Sequence, residues 1–133
     1  MNANVITITG NTVSEDAAQR LIASSEKVEN GFAISTFEAI VPDTVDRTMR
    51  ENMLTWNYPW SGEEYDMRSG LKKTAYKTAD PKKRIACFLS HYSLWKQCSE
   101  SGESAFIFEH DALFTSKVNL DILSKSKYTI IGL

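Results

Sequence analysis

The pattern of hydrophobic and polar residues predicts alternating strands and helices. Residues 5–8 are β-branched or apolar throughout and precede a glycine-asparagine turn, which predicts a first buried strand. Apolar residues at helical spacing then predict a helix that is capped by Ser14 and ended by Asn30 and Gly31. Residues 32–40 alternate loosely and predict a second strand. A strand, a helix and a strand joined by short turns indicate a right-handed parallel unit.

The same alternation continues in the second half of the chain. Asp80 precedes a proline, which predicts the start of a long helix that ends at Gly102. Residues 105–108 predict a buried third strand, followed by a short helix near 118–123 and a fourth strand at 128–131. We therefore predict an α/β domain with a mostly parallel sheet of about four strands flanked by helices. Apolar spacing predicts that the core face of the long helix consists of Ile85, Phe88, Leu89, Tyr92 and Trp95.

Residues 43–80 break this alternation and form an aromatic-rich insertion, called the insertion below. Part of it, from about residue 45 to residue 54, is expected to be helical. Residues 56–60 form an aromatic loop, because a proline within them disfavours a helix. Exposed rings on this loop could form a platform for sugars. The favoured interpretation is that they pack inward over the sheet edge, since aromatic side chains contribute large buried areas.

Composition and charge exclude several classes of protein. The chain has 133 residues, which suits one modest domain, and a net charge of −2 gives no reason to expect nucleic acid. The longest apolar run, residues 85–89, is too short for a transmembrane segment, and no signal peptide is visible. Cys87 and Cys98 are too far apart on the predicted helix for a disulfide. We expect free thiols with packing roles, no zinc site, and a cytoplasmic location.

Charge is unevenly distributed along the chain. Residues 67–84 contain seven basic residues and one acidic residue. This local excess of positive charge could attract a diphosphate or an anionic acceptor. A solvated loop and helix start would have the same composition, so both interpretations stay open.

Candidate chemistry is concentrated where the third strand ends. Glu109 and Asp111 are two residues apart, so strand alternation places both side chains on the same side. Two carboxylates at the carboxyl end of a buried strand suit a divalent cation with phosphate ligands, and ligands bind at this edge of α/β sheets. The pattern indicates a metal-dependent nucleotide or nucleotide-sugar site. The alternative is a polar loop after a core strand.

Two motifs, one at residues 86–91 with Trp95 and one at residues 109–112, together resemble those of the bacterial lipopolysaccharide-type glycosyltransferases of family 25. That family carries Gly-Cys-x-x-Ser-His with a tryptophan soon after, and this chain has its counterpart at residues 86–91 with Trp95. The family's Glu-Asp-Asp-Ala at a strand end matches residues 109–112. The resemblance covers most of the chain except the insertion. Two positions depart from the family pattern: His110 replaces the middle aspartate, and Ala86 replaces the glycine.

The resemblance implies a Rossmann-like, GT-A-type fold that binds a nucleotide diphosphate sugar. The implied enzyme is a hexosyltransferase that moves a sugar from a UDP-galactose or UDP-glucose type donor to a glycan or lipopolysaccharide-type acceptor, with inversion. Mn²⁺ or Mg²⁺, held by Glu109 and Asp111, would bridge the donor phosphates. For Ser90 and His91, bonding to neighbouring loops is an equally open interpretation. The implied donor-binding residues are Thr9, Arg84, Ser90 and His91.

The resemblance leaves the catalytic residues unassigned. An inverting transfer needs a base for the acceptor proton, and no residue here is identified as that base. Acceptor-binding elements of the family lie beyond the last residue of this chain. We therefore expect residues 1–133 to form one nucleotide-sugar-binding domain that is incomplete at its C-terminus. The alternative function is a non-catalytic nucleotide-sugar-binding or interaction module.

Overall fold

The computed structural model describes residues 2–75 and 78–121 and shows an α/β arrangement. A short 3₁₀ turn, Pro42–Thr44, precedes the second helix. The elements in chain order are β1 (Asn2–Thr7), α1 (Thr12–Lys27), β2 (Ser35–Glu38), α2 (Val45–Glu51), β3 (Glu63–Tyr65), β4 (Lys72–Thr74), α3 (Pro81–Ser101) and β5 (Ala105–Glu109).

The main sheet has the strand order β2-β1-β5, and both neighbouring pairs are parallel. The predicted parallel strand–helix–strand unit is therefore confirmed. Ile6 lies in register with Phe37 on one side and with Glu109 on the other, so these three side chains point to the same face. Because all three strands run in the same direction, their carboxyl ends form one edge of the sheet, called the carboxyl edge below.

The described residues contain three strands of this sheet. The predicted fourth strand at residues 128–131 lies outside the described residues. Of the predicted helix near 118–123, residues up to 121 are described, and helical geometry begins at Leu120.

Helix α1 covers one face of the sheet. Its N-cap is Asn11, whose Oδ1 accepts a hydrogen bond from the Ser14 amide at 3.1 Å, so the prediction of Ser14 as the cap was wrong. Ser14 is buried within the first turn, where its hydroxyl accepts a hydrogen bond from the Ile8 amide at 2.9 Å. This bond to Ile8, the residue that follows β1, holds Ser14 within the helix rather than at its cap. Leu21 and Val5 are fully buried at the centre of the resulting core.

Helix α3 lies against the opposite face, and both of its predicted ends are confirmed. Asp80 accepts a hydrogen bond from the Lys82 amide at 2.9 Å, and Gly102 adopts a left-handed φ of 69° at the C-terminus. Its predicted core face was wrong in part, because Phe88 and Trp95 are each 38% exposed. The buried stripe includes two small residues, Ala86 and Ser90, which allow the loop after β2 to approach α3 closely. The buried residues of α3 are Ile85, Ala86, Leu89, Ser90 and Leu94.

The insertion packs against α3. Trp56 contacts the core cluster that includes Val45 and Leu89, and its ring meets that of Phe88 edge-on at a centroid distance of 5.8 Å. Trp60 stacks on Trp56 at 5.5 Å and is 45% exposed. Inward packing of the aromatic loop is therefore confirmed for Trp56, although the surface it covers is helix α3 rather than the sheet edge. The β3–β4 hairpin that follows was not predicted.

Candidate functional site

Three side chains of different chemistry meet at the carboxyl edge of the sheet. Glu109 is the last residue of β5 and points to the face covered by α3. Its Oε1 lies 3.2 Å from Nε2 of His91 and 3.9 Å from Sγ of Cys87. One potential metal-ligand atom from each residue lies within 4.8 Å of the other two. We call Cys87, His91 and Glu109 the Cys/His/Glu cluster.

The sequence places these groups together through two periodicities. Cys87 and His91 are four residues apart on α3, so they lie one above the other on one helix face. In β5, Phe108 packs in the core beneath α1, and strand alternation therefore turns Glu109 toward α3. Ser90 fixes the helix in place, since its buried hydroxyl accepts a hydrogen bond from the Ile40 amide at 2.9 Å. The cluster thus stands on regular, anchored elements.

The cluster is open to solvent on the side of the carboxylate. The side chain of Glu109 is 58% exposed, whereas that of His91 is 23% exposed. Because a carboxylate oxygen accepts hydrogen bonds, the imidazole form with a proton on Nε2 donates to Oε1. Partial burial raises the pKa of the Cys87 thiol, and the negative charge of Glu109 raises it further. The thiol is therefore protonated at neutral pH and directs its proton toward Glu109.

Asp111 lies in the turn that follows β5. The strand ends at Glu109, and the Ala112 amide donates to the Glu109 carbonyl at 3.1 Å, which closes a turn around His110 and Asp111. The strand alternation expected to align Asp111 with Glu109 therefore stops before it reaches Asp111. Asp111 is exposed and is not a member of the Cys/His/Glu cluster.

The groups that the structure gathers around Glu109 differ from those of a manganese or magnesium site. Mn²⁺ and Mg²⁺ prefer oxygen ligands, whereas this donor set combines sulfur, nitrogen and oxygen. The assembled residues do not fit a hard cation, so no chemical step is assigned to one. Joint metal binding by Glu109 and Asp111 stays a prediction.

The other predicted donor-binding residues lie in different surroundings. The guanidinium of Arg84 lies over the ring of Tyr58, 4.5 Å from its centroid, so Arg84 contacts the insertion while His91 contacts β5. Ser90 is 1% exposed, and its hydroxyl donates to the Ala86 carbonyl at 2.9 Å while it holds the Ile40 amide. This geometry agrees with the alternative interpretation, in which Ser90 bonds to a neighbouring loop. The donor-binding roles stay predictions.

Thr9 belongs to the turn between β1 and α1, at the same carboxyl edge, and is exposed. This turn is ordered by side chains of the helix that follows it. The Gly10 amide donates to a carboxylate oxygen of Glu15 at 2.8 Å, and the Asn11 amide donates to the Ile8 carbonyl at 3.1 Å. The loop therefore presents Thr9 from a fixed backbone.

Cys87 is the member of the cluster that the sequence analysis did not identify, because it was assigned a packing role. It is a free thiol and is exposed. The available signal was its spacing of four residues from His91 on a predicted helix. That spacing alone is common, and the approach of Glu109 becomes visible only in the tertiary structure.

The fold described above is that of an α/β protein with a parallel sheet, a class in which ligands commonly bind at the carboxyl ends of the strands. The family model described as glycosyltransferase family 25 (LPS biosynthesis protein) matches residues 15–131. The chain belongs to glycosyltransferase family 25, which confirms the resemblance found in its sequence. The family indicates glycosyl transfer, with a sugar donor and a glycan acceptor.

No curated protein and no solved structure matches this chain. Within the described part of the chain, no helix combines the length and the apolar character needed to cross a bilayer.

Proposed function

We propose that this chain provides the donor side of a hexosyltransferase. The enzyme would move a hexose from a nucleotide diphosphate sugar, of the UDP-galactose or UDP-glucose type, to a hydroxyl of a glycan acceptor with inversion. The observation that carries this proposal is the position of Glu109 and His91 at the carboxyl edge of a parallel sheet, in a chain that matches family 25 over residues 15–131. Nucleotide ligands of such sheets bind at this edge.

The proposed reaction exchanges one bond at the anomeric carbon. The acceptor oxygen forms a bond to that carbon, the bond to the donor phosphate oxygen breaks, and the hydroxyl proton leaves with a base. The proposed role of Glu109 is to orient the donor sugar. Its contacts with α3, within the described residues, use Oε1, so Oε2 can accept a hydrogen bond from a sugar hydroxyl. His91 holds the carboxylate in that position.

The proposed place of the diphosphate is beside the turn that contains Thr9. Helix α1 begins directly after this turn, and a helix N-terminus favours negative charge. Three lysines of the basic segment at residues 67–84 pair with carboxylates, Lys72 with Glu63, Lys73 with Asp66 and Lys82 with Asp46, so this segment is given no role at the donor. Assistance by Mn²⁺ or Mg²⁺ through Glu109 and Asp111 is a separate proposal, and none of these roles depends on it.

A transfer assay with the full chain tests the proposal. UDP-galactose and UDP-glucose are each incubated with an oligosaccharide prepared from lipopolysaccharide, with Mn²⁺ or with a chelator, and product is detected by mass spectrometry. We expect transfer, and a loss of at least about 10-fold in kcat/KM for Glu109→Gln, equal to about 1.4 kcal/mol. Glu103→Gln is the matched control, because Glu103 is exposed at the opposite edge of the same sheet.

Three results would contradict the proposal in different ways. Thermal stabilisation by UDP without transfer or donor hydrolysis would identify the chain as the alternative, a non-catalytic nucleotide-sugar-binding module. If UDP causes no thermal stabilisation and no product forms, the chain has no nucleotide-sugar site. Equal losses in the Glu109 and Glu103 variants would show that Glu109 has no specific role.

A further inference from the structure

The Cys/His/Glu cluster has a composition that the glycosyl-transfer proposal does not require. It brings a thiol, an imidazole and a carboxylate to one point, and each group is a strong ligand for borderline-soft cations. We infer that the cluster is a binding site for a thiophilic divalent cation, Zn²⁺ above all. The ligands are Sγ of Cys87, Nε2 of His91 and Oε1 of Glu109.

The distances are close to those of a zinc site. Tetrahedral Zn²⁺ with bonds of about 2.0–2.3 Å separates neighbouring ligand atoms by roughly 3.3–3.7 Å. The separation between Nε2 and Oε1 is 3.2 Å, and the separation between Sγ and Oε1 is 3.9 Å. The third separation, between Sγ and Nε2, is within 4.8 Å. Side-chain adjustments of about an ångström bring all three atoms to bonding distance.

The scaffold supports this geometry. Two ligands one helical turn apart converge on a single point, and α3 is anchored next to them by the hydrogen bond between Ser90 and Ile40. The ring of Trp95 packs beside the imidazole of His91, with 5.9 Å between the ring centroids.

Access and coordination number also agree with the inference. The exposed carboxylate of Glu109 gives an ion a path from solvent. Three protein ligands leave a fourth position for water or for an oxygen of a bound ligand, as in open zinc sites. On binding, the thiol proton of Cys87 is released to solvent and the imidazole proton of His91 moves from Nε2 to Nδ1, so the ligands are a thiolate and a neutral imidazole.

This inference goes beyond the proposed function and does not depend on it. A hard cation at the same edge would use carboxylate oxygens, whereas the site inferred here requires the sulfur of Cys87. The two sites share Glu109, so Zn²⁺ and Mn²⁺ are expected to compete for that carboxylate. Metal binding and sugar transfer are measured separately, and either can fail while the other stands.

The test uses the full chain without a histidine tag, kept reduced, with Co²⁺ as a spectroscopic substitute for Zn²⁺. We expect one equivalent of Co²⁺ to produce a near-ultraviolet charge-transfer band from thiolate to cobalt, and Zn²⁺ to displace it. Cys87→Ser is expected to remove the band and to weaken Zn²⁺ binding by at least about 10-fold. Cys98→Ser is the matched control, because Cys98 lies on the same helix outside the cluster.

A second measurement avoids substitutions. Zn²⁺ is expected to protect Cys87 of the wild-type chain from alkylation by iodoacetamide while leaving the rate at Cys98 unchanged, as resolved by peptide mass spectrometry. Absence of the band in the wild-type chain would overturn the inference. So would a band that persists in Cys87→Ser, or equal protection of both cysteines.

Discussion

Substitution of Ser90 by alanine distinguishes two roles for this residue. The sequence resemblance implies that it binds the donor, whereas the structure shows that it joins α3 to the chain after β2. In the structure, Ser90 lies on the buried side of α3, with 1% of its surface exposed. Its hydroxyl accepts a hydrogen bond from the Ile40 amide at 2.9 Å and donates to the Ala86 carbonyl at 2.9 Å. The first bond ties the helix to the chain after β2. We expect Ser90→Ala to destabilise the fold rather than to remove a contact with the donor.

The size of the effect follows from the two bonds. The Ala86 carbonyl lies inside α3 and keeps its helical partner, so loss of the second bond costs little. The Ile40 amide loses its partner in a partly buried position, and an unsatisfied buried donor costs about 1–3 kcal/mol. With an unfolding entropy of about 2.1 cal/mol/K per residue, a chain of 133 residues loses roughly 4–11 °C in Tm.

Ser93→Ala provides the matched control for this experiment. Ser93 is on the same helix and half-buried, and its hydroxyl donates to the Leu89 carbonyl at 2.9 Å without holding another segment. Both substitutions give the same gain in helix propensity, so the difference between them isolates the bond to Ile40. We expect Ser93→Ala to change the free energy of unfolding by less than about 0.5 kcal/mol.

The assay is urea denaturation of both variants, followed by UDP binding measured calorimetrically at a temperature where each is folded. The expected result is a lower stability for Ser90→Ala with binding retained. Equal stabilities of the two variants, together with loss of UDP binding in Ser90→Ala alone, would refute the structural explanation. Ser90 would then be a donor ligand, as the resemblance implies.

Three further substitutions test the packing, the helix start and the chain after β5. Leu21→Ala, at a site with 0% exposure, should lower the free energy of unfolding by about 2–5 kcal/mol in urea denaturation. Leu113→Ala, at 61% exposure, should lower it by less than about 0.5 kcal/mol. Similar values for the two variants would disprove the assigned core. Asp80→Ala should cost about 0.5–2 kcal/mol and the capping variant Asp80→Asn almost nothing. Asn30→Ala removes the side-chain oxygen that accepts a hydrogen bond from the Val118 amide at 2.8 Å. Loss of about 1 kcal/mol should speed hydrogen exchange at the Val118 amide roughly 5-fold. An unchanged exchange rate would contradict this contact.

Local signals were sufficient to predict the elements whose causes are local. Asp80 before a proline and Gly102 after the last turn identify both ends of α3, because capping depends on residues adjacent to the helix. The β-branched first strand and its parallel partner were also recognisable. The start of α1 was not, because the hydroxyl of Ser14 bonds to the amide of Ile8 across the preceding turn.

The β3–β4 hairpin shows a different reason for failure. Its strands are mostly exposed and polar, so they carry no hydrophobic alternation. An ion pair between Lys72 and Glu63 at 2.7 Å joins the two strands. Asp66 orders the connecting turn by accepting from the Arg68 and Ser69 amides. Such polar contacts have no periodic signature, and the pattern of apolar residues therefore missed them.

The candidate site was predictable in its location and not in its composition. Sequence alone placed Glu109 at the end of a buried strand, whereas it gave Cys87 only a packing role on the predicted helix. The contact between Glu109 and His91 joins residues 18 positions apart and depends on how α3 crosses the sheet. The buried face of α3 at this crossing includes the small residues Ala86 and Ser90, whereas apolar spacing in the sequence points to its large aromatic residues.

The position at which β5 ends determines which side chains can bind a cation together with Glu109. If the strand continued for two more residues, alternation would place Asp111 on the same face, and the edge would offer two carboxylates to a hard cation. Instead, the hydrogen bond from the Ala112 amide to the Glu109 carbonyl closes a turn at this point. Glu109 therefore meets the thiol and the imidazole of α3 before it meets a second carboxylate. The cation preference inferred for this edge thus depends on a single backbone turn as much as on the identity of the acidic residues.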